Sequence, residues 1–202
     1  EATNDIIFNA DVLNNLGVDL TAVAGNDITV NNAIQNLGGN VNFSAQGNVS
    51  LTNPNAFIWT FGGDASLTAT GNVVLANDAQ IDTAPLAGDS GNLNVTARSV
   101  LLTDGAQLKV GSFGDGNGGI LTVNASELVE LSGIGLLSST GFNATASAAS
   151  NGTAGNIQVI TPRLIVRDGA SIGAPTQGNG SGGTVIVNAT ESVEVTGSEI
   201  GR

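Results

Sequence analysis

The chain has no cysteine, histidine, methionine or tyrosine, a single tryptophan (Trp59), and five basic residues among 202. Without cysteine there is no disulfide framework and no thiol catalysis, although the compartment stays open, since exported bacterial proteins also avoid the residue. The five cations (Arg98, Lys109, Arg163, Arg167, Arg202) are scattered and face 17 acids, for a net charge of −12. No basic stripe can be assembled from them to displace counterions from a phosphate backbone, and an anionic membrane surface would repel the chain. Nucleic acid and membrane insertion are therefore excluded as partners. No apolar run approaches the roughly 20 residues of a membrane-spanning helix. The first residue is Glu1 and no signal peptide is visible, so the sequence reads as a mature chain or as a portion of a longer one.

What is abundant is small and β-branched. Glycine occurs 29 times, hydrophobic residues make up 41 % and charged residues only 11 %. Disordered chains show the opposite balance, so this one has enough apolar surface to fold. Its acidic surplus suits a long, apolar-cored object that must stay soluble.

Aligning the chain on itself reveals an internal repeat. "GNLNVTA" (91–97), "GILTVNA" (119–125) and "GTVIVNA" (183–189) are versions of one segment, and related segments start at Asp19, Asn40, Asp64, Asn92, Ile120, Asn156 and Thr184. The spacings are 21, 24, 28, 28, 36 and 28 residues. Within each segment alternate positions are apolar, as in Leu93/Val95, Leu121/Val123, Ile157/Val159 and Val185/Val187. Period two means a strand with one buried face. A second alternation follows eight or nine residues after each start, from Ile28/Val30 through Val100/Leu102 to Val193/Val195. A third, shorter one pairs a small residue with an aliphatic: Ala56/Ile58, Ala79/Ile81, Ala106/Leu108, Gly135/Leu137, Ala170/Ile172 and Ser198/Ile200.

Turn chemistry separates these strands. "DGA" stands at 104–106 and 168–170 and "NDA" at 77–79, where Asp and Asn bond their own backbone and Gly permits positive φ. Small pairs such as Gly38-Gly39 and Gly182-Gly183 precede the first strand of a unit. A helical reading fails, because no 3.6-residue stripe persists and Gly and β-branched residues are too frequent.

Three short strands per unit imply a coil in which each turn lies on the last and equivalent strands pair in parallel, about 4.8 Å apart. Val95, Val123, Val159 and Val187 then form one internal column. The letters recur because a lone coil cannot bury its own inner face. A β-sandwich would want hairpin turns every 8–12 residues, and a propeller blade would need four strands in about 40. The spacings favour a parallel β-helix of about seven to eight coils filling residues 1–202 as a single segment, with 1–18 an incomplete first coil.

Candidate sites are few. Glu127/Glu130 and Glu191/Glu194 invite a general acid and base reading, but Glu130 and Glu194 alternate with inward aliphatics and so point to solvent. Lyase chemistry on a β-helix wants a base and clustered cations, and one lysine with no histidine supplies neither. No catalytic residue and no cofactor is expected. "GDGNGG" (114–119) resembles a calcium-binding nonapeptide in a single displaced copy, which leaves a Gly-rich corner and at most weak Ca²⁺ binding by acidic loops. Outward threonines such as Thr68, Thr96 and Thr122 lack the regularity of an ice-binding array, and the Asn-x-Ser/Thr triplets follow from the repeat itself.

Two stretches depart from the pattern. "NPNAFIWTFGG" (53–63) sets Phe57, Trp59 and Phe61 opposite inward Ile58, so the trio either faces outward as an interface or carbohydrate platform or is buried by a register shift. "SSTGFNATASAASNGTAG" (138–155), of low complexity and carrying Phe142, reads as a loop insertion from the coil. Phe57, Trp59, Phe61 and Phe142 are the candidate binding residues.

"ARSVLLTDGAQL" (97–108), "FGDGNGGILTVNASELVELSG" (113–133) and "TPRLIVRDGASI" (161–172) resemble the repeats of filamentous-haemagglutinin-like exoproteins of the two-partner secretion class. "DLTAVAGNDITVNNAIQNLGGNVNFSAQGNVSL" (19–51) is similar to the stretch that follows their secretion domain, so the likeness covers residues 19–202. It implies a right-handed parallel β-helix, export through an outer-membrane barrel, and a structural or adhesive role outside the cell. Partners would be further copies or adjoining coils at the open sheet edges, and a surface glycan or protein on the outside. An adhesin module and, last, a lyase-like enzyme are the competing functions.

Overall fold

The computed structural model describes residues 1–147, 151–197 and 199–200, and among them the protein is all-β, with no helix. Eleven strands form one sheet: β1 (Ile6–Phe8), β3 (Leu20–Ala24), β4 (Ile28–Val30), β6 (Val41–Ala45), β7 (Val49–Leu51), β9 (Ala65–Ala69), β10 (Asn72–Leu75), β12 (Leu93–Thr103), β14 (Ile120–Ser132), β16 (Asn156–Arg167) and β18 (Val185–Thr196). Eight form the second: β2 (Val12–Asn14), β5 (Ala33–Asn36), β8 (Phe57–Trp59), β11 (Gln80–Asp82), β13 (Gln107–Lys109), β15 (Gly141–Asn143), β17 (Ser171–Gly173) and β19 (Glu199–Ile200). All ladders between these strands are parallel, and strands pair with counterparts one repeat away, not with sequence neighbours. The arrangement fits a parallel β-helix or solenoid.

Register follows the repeat residue for residue. Ala22, Phe43, Leu67, Val95, Val123, Val159 and Val187 are successive Cα partners, at separations of 21, 24, 28, 28, 36 and 28 residues. On the second sheet Val12, Ile34, Ile58, Ile81, Leu108, Phe142, Ile172 and Ile200 form a matching column. Between β4 and β17 the inward side chains of these columns are almost fully buried. Each large aliphatic so buried contributes about 1.5–3 kcal/mol, available only when the repeats above and below are in place.

Backbone chemistry explains the small and polar letters of the repeat. A Cβ on Gly63 would strike the carbonyl of Gly39, one on Gly91 that of Gly63, one on Gly119 that of Gly91, and so on to Gly183. Glycine is the residue that permits such close stacking of backbone. Beside this stack, Asp and Asn side chains form a ladder between repeats. Asn40 N–H donates to Asp19 (3.0 Å), Asp64 N–H to Asn40 (2.8 Å), Asn92 N–H to Asp64 (2.7 Å) and Ile120 N–H to Asn92 (2.9 Å). A parallel ladder runs Asp5, Asp27, Asn48, Asn72 and stops with Asn72 Oδ1 buried and unpartnered. There the corner changes from Gly71-Asn72 to Arg98-Ser99; the backbone rung persists, with Gly71 N–H donating to the Gly47 carbonyl and Arg98 N–H to that of Gly71, while the side-chain ladder ends.

Early in the chain, short corners at Gly25, Gly47 and Gly71 separate neighbouring strands of the larger sheet. Later these strands fuse into β12, β14, β16 and β18, with register shifts where the corner was. Pro162 sits at one of them, where a missing N–H costs no ladder bond. The DGA and NDA corners use two successive left-handed residues: Asp104/Gly105 (φ 52°, 85°), Asp168/Gly169 (57°, 84°) and Asn77/Asp78 (58°, 60°).

Two expectations need correction. Residues 138–155 are not a loop insertion throughout: Gly141–Asn143 is strand β15, paired on both sides with β13 and β17. The excursion is 133–140, eight residues where the equivalent corners 104–106 and 168–170 have three. It folds back on itself through an antiparallel bridge from Ile134 to Ser139. The third alternation of that unit is therefore not Gly135/Leu137, since Leu137 is 82 % exposed and Phe142 takes the inward place. Residues 148–150, within the expected loop, and Ser198, within the last expected short strand, lie outside the described residues. Residues 1–18 supply β1, β2 and a parallel bridge from Ala2 to Ala24.

Candidate binding groove

The outer face of the smaller sheet carries the side chains that alternate with its buried column. Two outward rows result: Phe57, Gln80, Gln107, Gly141 and Ser171 in one, and Gln35, Trp59, Asp82, Lys109, Asn143 and Gly173 in the other. On this face lies a trough of about 390 Å³. Its floor includes Phe57, Trp59, Gln80, Asp82 and Lys109. Leu86 and Phe113, from two successive return corners, Leu137, at the tip of the 133–140 excursion, and Asp78 also line it.

Trp59 is fixed from two directions. Its indole Nε1–H donates to the Ala84 carbonyl at 2.6 Å, and Phe61 stacks on it with ring centroids 3.8 Å apart and planes 16° from parallel. Phe61 itself turns the chain out of β8 at φ 53°. The trio, open on sequence between an outward platform and burial by a register shift, divides: Phe57 and Trp59 are half-buried in the trough with the register intact, while Phe61 backs Trp59 and does not line it. Phe142 is not a surface residue at all. It is 1 % exposed between Leu108 and Ile172, because the column requires an apolar side chain at that level.

Lys109 and Asp82 form the charged element of the floor, Nζ to Oδ2 at 3.0 Å with both side chains mostly buried. Asp82 also accepts the Ala84 N–H at 2.9 Å, which shapes the corner that holds the indole. At the opposite edge Asp78 fastens the excursion: its carboxylate accepts the N–H groups of Leu136 (2.9 Å) and Leu137 (3.2 Å), 58 and 59 residues further along the chain. Gln107 Nε2 donates to the Ser139 carbonyl and Ser138 Oγ to that of Gly105, each at 2.9 Å, so the loop is seated on the repeat below.

The acids considered for catalysis lie on the larger sheet, away from this face. Glu130 meets Arg167 at 2.7 Å, Glu127 meets Arg98 at 3.8 Å and Glu191 meets Arg163 at 4.0 Å. Bonding to Glu130, and secondly to Asp168, raises the Arg167 guanidinium above its ordinary value. Near the GDGNGG corner, Asp115 accepts from Asn151 (2.7 Å) and Asp89 from the Asn117 N–H (2.7 Å), so these carboxylates are rungs between repeats. Among the described residues no three carboxylates gather around a cation-sized space.

Sequence reasoning missed Gln80, Asp82, Lys109, Leu86, Phe113, Leu137 and Asp78. A faint signal existed: Leu86, Phe113 and Leu136-Leu137 are large apolar residues in corners otherwise built of Gly, Asn, Asp and Ser. With the geometry in place, comparison with known proteins adds nothing: no family model, no curated protein and no solved structure matches the chain.

Proposed function

We propose that the chain is a segment of a non-catalytic extracellular shaft, a right-handed parallel β-helix with three short strands per turn and about seven to eight turns. On this reading it belongs with filamentous-haemagglutinin-like exoproteins, leaves the cell through an outer-membrane partner barrel, and serves as a structural or adhesive rod. The observation that carries it is the stacking of apolar side chains in register through parallel strands: Leu67, Val95, Val123, Val159 and Val187 on the larger sheet, and Ile58, Ile81, Leu108, Phe142 and Ile172 on the smaller. Val193 and Val195, on β18, are 51 % and 43 % exposed, whereas their partners Leu164 and Val166 are 0 % exposed. A second copy stacked end to end would cover them and pair the edge of β18. Glu127, Glu130 and Glu191 each face an arginine, Glu130 most closely at 2.7 Å, which supports a structural reading of that face.

Sedimentation velocity and negative-stain microscopy at rising protein concentration test the assembly. End-to-end rods are expected for the wild type, and monomers for Val193→Asp combined with Val195→Asp. A wild-type chain that stays monomeric at every concentration refutes association through this face.

A second reading, a surface-binding adhesin module, is favoured by the trough around Phe57 and Trp59. It joins apolar walls to polar groups on the floor, as ligand-binding clefts do.

A further inference from the structure

We propose that this trough is a binding site for a linear, neutral oligosaccharide lying along the long axis of the molecule, across β8, β11 and β13. The proposal rests on the adhesin reading and names its ligand class. Sugar rings present an apolar C–H face and a hydroxyl edge, and the floor offers a partner for each. Phe57 and Trp59 supply ring surface. Trp59 is already immobilised by Ala84 and Phe61, so little ordering cost falls on binding. Among the described residues Gln80 makes no side-chain hydrogen bond, leaving its amide donors and acceptor available for hydroxyls. The Lys109 ammonium uses one direction for Asp82 at 3.0 Å and keeps further donors free.

Charge selects against acidic glycans. Lys109 is neutralised by Asp82, Asp78 stands at the edge, and the whole chain carries −12, so a polyuronate would meet net repulsion. Shape selects for a chain over a single sugar. The trough meets a second depression of about 220 Å³ at Asp82, Lys109 and Phe113, and that one meets a third of about 170 Å³ at Asn143 and Thr145. From β8 to β17 the smaller sheet makes four strand-to-strand steps, about 19 Å at the usual spacing of parallel strands.

Trp59 is the protein's one tryptophan, so its emission reports this site alone. The experiment titrates the intact chain with neutral β-linked gluco- and manno-oligosaccharides of two to six units, with oligogalacturonate and with an apolar peptide, following fluorescence and calorimetric heat. Expected are a change in Trp59 emission with neutral sugars, affinity that rises with length, and a loss of roughly tenfold in Gln80→Ala, an outward residue whose removal leaves the core untouched. No response to any neutral oligosaccharide at millimolar concentration overturns the proposal, as does preference for oligogalacturonate. A site that takes the apolar peptide and no sugar overturns the glycan assignment while leaving the adhesin reading intact. A site that takes none of the three ligands removes both.

Discussion

Replacing Phe142 by alanine separates a core residue from a surface one. The side chain is 1 % exposed, and its column neighbours are Leu108 below and Ile172 above. Removing a buried phenylalanine costs about 3–5 kcal/mol, the transfer term plus the cavity that rigid neighbours fail to close. Leucine at 142 restores an aliphatic of the kind that fills this level elsewhere, as at Ile58, Ile81 and Ile172, and costs about 1 kcal/mol. With a urea slope of about 2 kcal/mol per molar, F142A lowers the midpoint by about 2 M and F142L by about 0.5 M. Because strand pairing joins each repeat to its neighbours, the loss concentrates at the β13–β15 and β15–β17 contacts. Circular dichroism should register it, and Trp59 emission shows whether the opening reaches β8. Two results would refute the reasoning: F142A within about 0.5 kcal/mol of wild type, as expected of a surface ligand contact, or F142L as damaging as F142A.

Further outcomes follow from the backbone contacts. Gly119→Ala places a Cβ against the Gly91 carbonyl, so it should destabilise by about 1–3 kcal/mol in thermal unfolding, and a neutral result would show that the glycine stack has slack. Asp78→Ala removes the acceptor for the Leu136 and Leu137 N–H groups, and hydrogen exchange at those amides should rise several-fold while exchange in β12 and β16 stays unchanged. Unchanged exchange at 136 and 137 would mean that the excursion is held by its other contacts alone.

Much of the fold was legible because its information is local. Alternation of apolar residues gives strands, recurrence at 21–36 residues gives the partners, and the register of Val95, Val123, Val159 and Val187 follows from both. The one strand misplaced, at Gly135/Leu137, came from counting forward from the preceding strand across a corner of variable length. With the columns known, the backward spacing is 7 residues for Ile34–Val41 and Ile58–Ala65 and longer in the later repeats. The third inward residue precedes the next first strand by 12, 13 and 13 residues for Ile81–Leu93, Leu108–Leu121 and Ile172–Val185, and by 15 for Phe142–Ile157, against 20 for Leu137–Ile157.

The groove was half legible. Phe57 and Trp59 stood out because they break a repeat of small residues, and alternation correctly set them opposite Ile58. Their companions did not stand out. Gln80 and Lys109 are ordinary outward residues until parallel stacking sets them on neighbouring strands of one face, and Phe61 differs from Trp59 only through a left-handed turn.

By itself, then, the amino-acid order determined the strands, their spacing, the stacked core and the corners that need glycine, because each of these is written in short-range periodicity that every repeat restates. Only the tertiary structure decided that Phe142 is inside and Leu137 outside, that Asp78 holds a loop 58 residues away, and that Leu86, Phe113 and Leu137 line one trough. Those facts depend on how far corners of unequal length carry the chain before the next column recaptures it, and no periodicity records that distance.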